Sequence, residues 1–292
     1  MTSGFLNFLK PPGMTSHDVV SFVRRTYGLK KVGHAGTLDP AAAGVLPVAI
    51  GQATRLIEYM TNANKQYRVE LTFGYETDSG DEAGQITAKS PVRKLGEQEI
   101  QAALAAFLGT IEQTPPIYSA IKQGGKKLYE LAREGKTVEV PSRKVEIEAI
   151  DLLAVQEQSV LFDVICSKGT YIRSLGRDLA RSLHMHGTVT FLLRTAVGGF
   201  SIASAATAEE IAQEPLKYLV APSQVLRDLP MRQLNDKEAD DFIHGRFLLL
   251  SGAVGTTYAV FTKQGDLLGI GKQSDCGKKL LPQKVLGAEE RL

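Results

Sequence analysis

An α+β fold is what the sequence predicts, on three observations. Residues 67–74, Tyr67-Arg68-Val69-Glu70-Leu71-Thr72-Phe73-Gly74, alternate apolar with polar side chains as a half-buried strand does, and residues 160–166 read the same way. Three other segments, 17–27, 97–108 and 175–183, space their apolar residues at helical intervals. Strands and helices mingle without the strict alternation of a doubly wound parallel sheet, which leaves α+β.

Each element has its local reason. The helix over 17–27 follows Thr15-Ser16, which can cap it, and Gly28 ends it. Residues 33–55 form a loop punctuated by Gly33, Gly36, Gly44 and Gly51, with an Asp39-Pro40 step ahead of an apolar run. Glycines allow backbone geometry or close approach that side chains block. Asp39, lying between His34 and Arg55 in sequence, has two readings: N-cap of an ordinary helix with Pro40 at its first position, or a carboxylate held in a site. The local pattern alone favours the cap.

Farther along, the helix over 97–108 sets Ile100, Leu104, Phe107 and Leu108 on one face. Residues 122–137 combine Gly124-Gly125 with Lys122, Lys126, Lys127, Arg133, Lys136 and Tyr129. They read as a mobile basic arm that closes on phosphate, or as a solvated helix in which Lys126 attracts Glu130 while Glu130 repels Glu134. The helix over 175–183 carries Arg177 and Arg181 one turn apart. Beyond about residue 230 the pattern changes to a helix over 233–246 and short strands at 257–262 and 267–270.

The chain has 292 residues, 43% of them hydrophobic, enough for one good core and a second small one. It contains no uninterrupted apolar run of about 18 residues, and Met1-Thr2-Ser3-Gly4 does not resemble a signal segment, so a cytoplasmic protein is expected. Cys166 and Cys276 fall in no paired spacing, which argues against a disulfide framework and a zinc site. His184 and His186 lack a third ligand nearby and read as a surface or RNA-facing pair. Net charge is only +2, but it is segregated. Residues 1–68 hold eight Lys/Arg against three Asp/Glu, residues 167–199 five against one, and residues 69–166 ten against sixteen. Such segregation suits one face that meets phosphate, and equally suits ordinary solvated faces.

Six blocks in order decide among these alternatives. The segment Gly33-His34-Ala35-Gly36-Thr37-Leu38-Asp39-Pro40 resembles the signature of the TruB family of pseudouridine synthases, which isomerise the T-loop uridine at position 55 of tRNA. Lys10-Pro11-Pro12-Gly13-Met14-Thr15-Ser16 is similar to the family's N-terminal element, Lys65-Gln66-Tyr67 to its Lys-x-Tyr element, and Tyr171-Ile172-Arg173 to its Tyr-Ile-Arg element. Gln113 to Lys122 and Leu192-Leu193-Arg194-Thr195 also fit, so the resemblance covers roughly residues 5–200. Pro40 is followed by Ala41-Ala42-Ala43 where the family usually has a larger apolar residue.

The resemblance implies a pseudouridine synthase fold, with a mixed, mainly antiparallel sheet and a central cleft, over residues 1–230. Within it an RNA-gripping insertion spans about 113–143, and a small PUA-like β-barrel follows at 231–292. It implies Asp39, Tyr67 and Arg173 as catalytic residues and Lys10, His34, Tyr171, Leu193, Lys122, Lys126 and Lys127 as RNA-binding ones. The partner is the T-stem-loop of tRNA, met by a monomer with no obligate protein partner.

The chemistry is consistent with that assignment. Turning uridine into pseudouridine breaks the N1–C1′ bond, rotates the held uracil and rejoins it through C5, with no redox step and no group donor, so no cofactor and no metal is expected. One carboxylate must act as nucleophile or base, and Asp39 is the one the signature carries. Arg173 is expected to hold it bidentately and lower its pKa. The target base must be extruded, with Tyr67 stacking on it and His34 filling the gap. Two alternatives stay open: a non-catalytic tRNA-binding or tRNA-folding protein, and a guide-RNA-dependent synthase.

Overall fold

The computed structural model describes residues 3–119, 121–123, 125–128 and 140–287, with the backbone alone at Lys122, Gln123, Lys126 and Lys127. The first helix, Ser16–Tyr27, follows from its ends. Thr15 accepts from the Asp18 amide and Asp18 returns the bond in a capping box, and Gly28 closes the helix in the left-handed conformation at φ 64°. Helix Glu97–Ala105 is three residues shorter than its apolar pattern. Helix Ile172–Ser182 begins three residues earlier than its pattern, which brings Arg173 into its first turn.

The described residues form eighteen strands in chain order: β1 Gly4–Lys10, β2 Val32–His34, β3 Ala43–Ile50, β4 Lys65–Phe73, β5 Tyr75–Thr77, β6 Ile86–Lys89, β7 Gly109–Gln113, β8 Lys122–Gln123, β9 Lys126–Lys127, β10 Arg143–Val155, β11 Ser159–Cys166, β12 Gly187–Val197, β13 Phe200–Ser201, β14 Leu219–Val220, β15 Met231–Leu234, β16 Thr257–Thr262, β17 Leu267–Gln273 and β18 Leu280–Val285. A ten-stranded sheet runs β14-β1-β3-β12-β4-β11-β10-β7, with β13 paired to β12 and β2 to β3. All its pairs are antiparallel except β12 with β3, where Leu193 faces Ala43 and Arg194 faces Gly44. The expected mixed, mainly antiparallel sheet is therefore present.

Along β4, Lys65, Tyr67, Val69, Leu71 and Phe73 are buried while Gln66 and Arg68 are exposed, the period of two that the sequence shows. The buried set packs with Val19 and Val23 of the first helix, Ile100 and Leu104 of the second, and Leu175 and Leu179 of helix Ile172–Ser182. The site is thus built on the rigid middle of the sheet.

The expectation for the C-terminal part needs correction. Residues 231–287 form an open sheet, β15-β16-β17-β18, in which β15 and β18 do not pair, so no closed barrel is found among the described residues. Helix Asp236–Ile243, shorter than the expected 233–246 and capped by Asn235 and Glu238, packs Phe242 on Val260 and Leu268. The opposite face presents Ala259, Phe261, Leu267 and Ile270 to Leu56, Met60, Val197 and Phe200 of the main body. A sheet apolar on both faces is covered by these two layers and needs no closure.

Within the expected insertion, β8 and β9 pair as a short hairpin, Lys122 with Lys127 and Gln123 with Lys126. The side chains of Lys122, Lys126 and Lys127, and residues 129–139, lie outside the described residues.

Candidate active site

The sequence signature places a carboxylate in a loop, and the fold shows how that loop keeps one shape. Asp39-Pro40 starts no helix: the Ala42 amide donates to Asp39 O at 3.1 Å, and β3 begins at the next residue. The helix-cap reading fails because residues 41–43 turn directly into the sheet. Every carbonyl from 36 to 40 has a partner. Arg194 donates from Nη2 to Gly36 O and from Nη1 to Thr37 O, both at 3.2 Å. Ser16 Oγ donates to Leu38 O at 3.0 Å and accepts from the Leu38 amide at 2.9 Å. Pro40 O accepts from the Gly13 amide at 2.8 Å and from Lys10 Nζ at 3.2 Å. A backbone with no ladder of its own is satisfied by side chains from two distant segments.

Lys10 is fully buried, its ammonium also donating to Pro11 O and Met14 O, and burial lowers its pKa to about 8. It braces the loop from beneath and has no surface to offer a phosphate. Lys65 repeats the arrangement next to Gly36, donating to Thr61 O at 2.8 Å and Ala63 O at 2.7 Å, its pKa again about 8 through burial.

Arg173 is 5% exposed, and its Nε lies 2.9 Å from Asp39 Oδ2, whose side chain is 33% exposed. The expected bidentate grip is not made. The contact is single and poorly aligned for a hydrogen bond, because Nη1 donates to Ser79 O at 2.8 Å and Nη2 to Tyr118 O at 3.0 Å. Nη1 also lies 3.6 Å from Asp81 Oδ2, so one guanidinium serves two carboxylates. Nor is the pKa of Asp39 lowered. Burial pushes it up, the Arg173 charge opposes that rise, and the Asp81 charge adds to it.

Tyr67 is 8% exposed and stands opposite Arg194 across β4 and β12. Burial raises its pKa, with Arg194 opposing. His34, on β2, is half-buried; its Nδ1 has no hydrogen-bond partner among the described residues, and burial followed by the Arg194 charge lowers its pKa, which favours the neutral ring. Tyr171 is half-buried ahead of Arg173, with the Arg143 guanidinium 4.7 Å from its ring centre and its backbone held by both ends of the Gln113 amide. Leu193 is half-buried at the β3 junction. Asp39, Arg173, Tyr67 and His34 thus share one surrounding, while Arg55 lies away from it, donating to Val285 O of the C-terminal sheet.

Arg194 is the residue that sequence reasoning passed over. It is 1% exposed, and besides the loop it holds Val45 O from Nε at 2.7 Å. The signal was an arginine inside an otherwise apolar strand, since a fully buried charge requires dedicated partners. Asp81 was missed as well, because only the fold brings the β5–β6 loop to Arg173. His186 pairs with Glu76 at 3.1 Å, and no group of metal-ligand type occurs among the described residues.

Comparison with known proteins points to one family. Residues 24–172 match the family described as TruB family pseudouridylate synthase (N terminal domain). A curated relative from Caldanaerobacter subterraneus, named tRNA pseudouridine synthase B, is 44% identical over 97% of this chain and 98% of its own length. One of the same name from Symbiobacterium thermophilum is 48% identical over 83% of this chain and 82% of its own. Among solved structures, a chain of a Cbf5-Nop10-Gar1 complex superposes with a TM-score of 0.75 at 26% identity, covering 97% of this chain and 84% of that one. The chain belongs to the TruB family of pseudouridylate synthases.

Proposed function

We propose that this chain isomerises uridine to pseudouridine at position 55 in the T-loop of tRNA, with Asp39 as the reacting carboxylate. One observation supports this reading above the rest: the cations of the site, Lys10, Lys65, Arg173 and Arg194, are buried, while Asp39 keeps a third of its side chain open beside Arg173. Relatives named tRNA pseudouridine synthase B, aligned over nearly the whole chain, point the same way. The uridine leaves the T-loop stack and lies on Tyr67, His34 fills the gap, and Tyr171 and Leu193 wall the pocket. Lys10, Lys65 and Arg194 fix the loop, and Arg173 steadies the Asp39 charge as the glycosidic bond breaks. Residues 1–230 are the catalytic part. Lys122, Lys126 and Lys127 grip the T-stem-loop, and residues 231–292 supply a second contact to RNA. The protein works as a monomer in the cytoplasm, without cofactor or metal.

A second reading, action inside a guide-RNA complex, draws on the likeness to a Cbf5-Nop10-Gar1 complex. Tritium release from tRNA labelled at uridine C5 separates the two. Release by purified wild-type protein on bare tRNA, abolished in Asp39→Asn with affinity kept within about tenfold, is the expected result. Bound tRNA without release by wild type would favour the guide-dependent or purely binding protein.

A further inference from the structure

A second cavity, of about 330 Å³, lies where β4 begins and β12 ends, lined there by Met60, Ala63, Gly198 and Gly199. Its lining includes the aromatic residues Tyr59 and Tyr218 and the polar residues Asn7, Gln224, Arg227 and Asp228. It stands at the small end of the range in which whole ligands are bound, large enough for one nucleotide.

Three features make it more than a dent in the surface. Arg227 makes no hydrogen bond or ion pair among the described residues, yet its guanidinium is seated over the turn after β12. A Cβ at Gly199 would stand 2.7 Å from its Nη2, so glycine leaves the space the guanidinium occupies. Asn7 is 96% buried, its Nδ2 donating to Ser201 O at 2.8 Å and Ser204 Oγ at 2.9 Å, while its Oδ1 has no partner among the described residues. The Lys217 ammonium, ion-paired with Glu214, stands 5.4 Å from the Tyr218 ring centre, at the edge of the aromatic wall. Aromatic faces suit a base, an uncommitted guanidinium suits a phosphate, and the amide and carboxylate acceptors suit base or ribose donors.

We propose that this cavity is a second nucleotide site, taking one unpaired nucleoside monophosphate unit with its phosphate on Arg227 and its base between Tyr59 and Tyr218. The unit comes either from the bound RNA or from a free nucleotide. The site shares a turn with the active site: the Gly198 amide donates to Asn64 O, and Thr61 O and Ala63 O hold the Lys65 ammonium.

The test is photocrosslinking of the full chain with 5-iodouridine 5′-monophosphate, the adducts mapped by peptide mass spectrometry. Adducts at Tyr59 or Tyr218 are expected, falling about tenfold in Arg227→Ala and unchanged in Tyr67→Phe, which reports separately on the catalytic pocket. Suppression by excess tRNA would assign the site to a nucleotide of the RNA; insensitivity to tRNA would assign it to a free nucleotide. Absence of adducts at both tyrosines, or adducts indifferent to Arg227→Ala, would overturn the proposal. None of these readouts requires turnover, so they stand apart from the outcome of the tritium assay.

Discussion

At Asp39 the folded state carries a strain of its own. Burial and the Asp81 carboxylate both disfavour the ionised form, and Arg173 offsets them only in part. A carboxyl raised in the folded state lowers stability as pH rises from the ordinary value of 3.8 through the raised one, after which the deficit is constant. Asp39→Asn is therefore expected to melt above wild type at pH 7, the gap closing toward pH 3; thermal denaturation across that range checks it, and a lower melting point at pH 7 would contradict it. Arg194 works in the opposite sense, its charge and three donors all used. Arg194→Lys keeps the charge but cannot fork across Gly36, Thr37 and Val45. Turnover should fall by about tenfold or more with the KM for tRNA little changed, because the loop loses position and the RNA surface does not. The meeting of Asp39, Tyr67 and Arg173 in one place was legible from sequence because they sit in recognisable blocks. Asp81 was not, since nothing local ties an acidic loop residue to an arginine 92 positions later.

Among elements, the segment Lys10–Ser16 and the start of β3 do the holding. Ser16→Ala removes both bonds to Leu38 inside the protein and should cost about 1–3 kcal/mol, measurable by urea denaturation. Gly44 marks the one place where β3 and β12 run parallel. Its φ is 115°, and a Cβ there would stand 2.2 Å from Arg194 O, so Gly44→Ala should lower stability by roughly 2–4 kcal/mol and depress turnover with it. The helix at 16–27 was legible because cap, apolar face and terminal glycine agree, and β4 because it alternates. Strand β18 was missed: Leu280-Leu281-Pro282-Gln283-Lys284-Val285 does not alternate cleanly, and its partner β17 decides its state.

Across the whole molecule, charge and hydrophobicity divide differently from the sequence. Four cations of the two basic stretches, Lys10, Lys65, Arg173 and Arg194, are buried, so part of the apparent basic surface is internal scaffolding for one carboxylate. The apolar cluster shared by Phe5, Leu56, Phe200, Phe261 and Leu286 crosses from the main body into the C-terminal sheet. Phe261→Ala should cost about 3–5 kcal/mol and lower a single calorimetric transition. Two separate transitions would show that the parts unfold independently. The junction of β3 with β12 has a further consequence, for synthesis. Val45 and its partner Arg194 lie 149 residues apart, so a ribosome delivers the signature loop long before the strand that fastens it. Until that strand emerges the nascent chain has the Asp39 loop but not the arginine that fixes it, so the loop takes its shape only after residues 187–197 have been made.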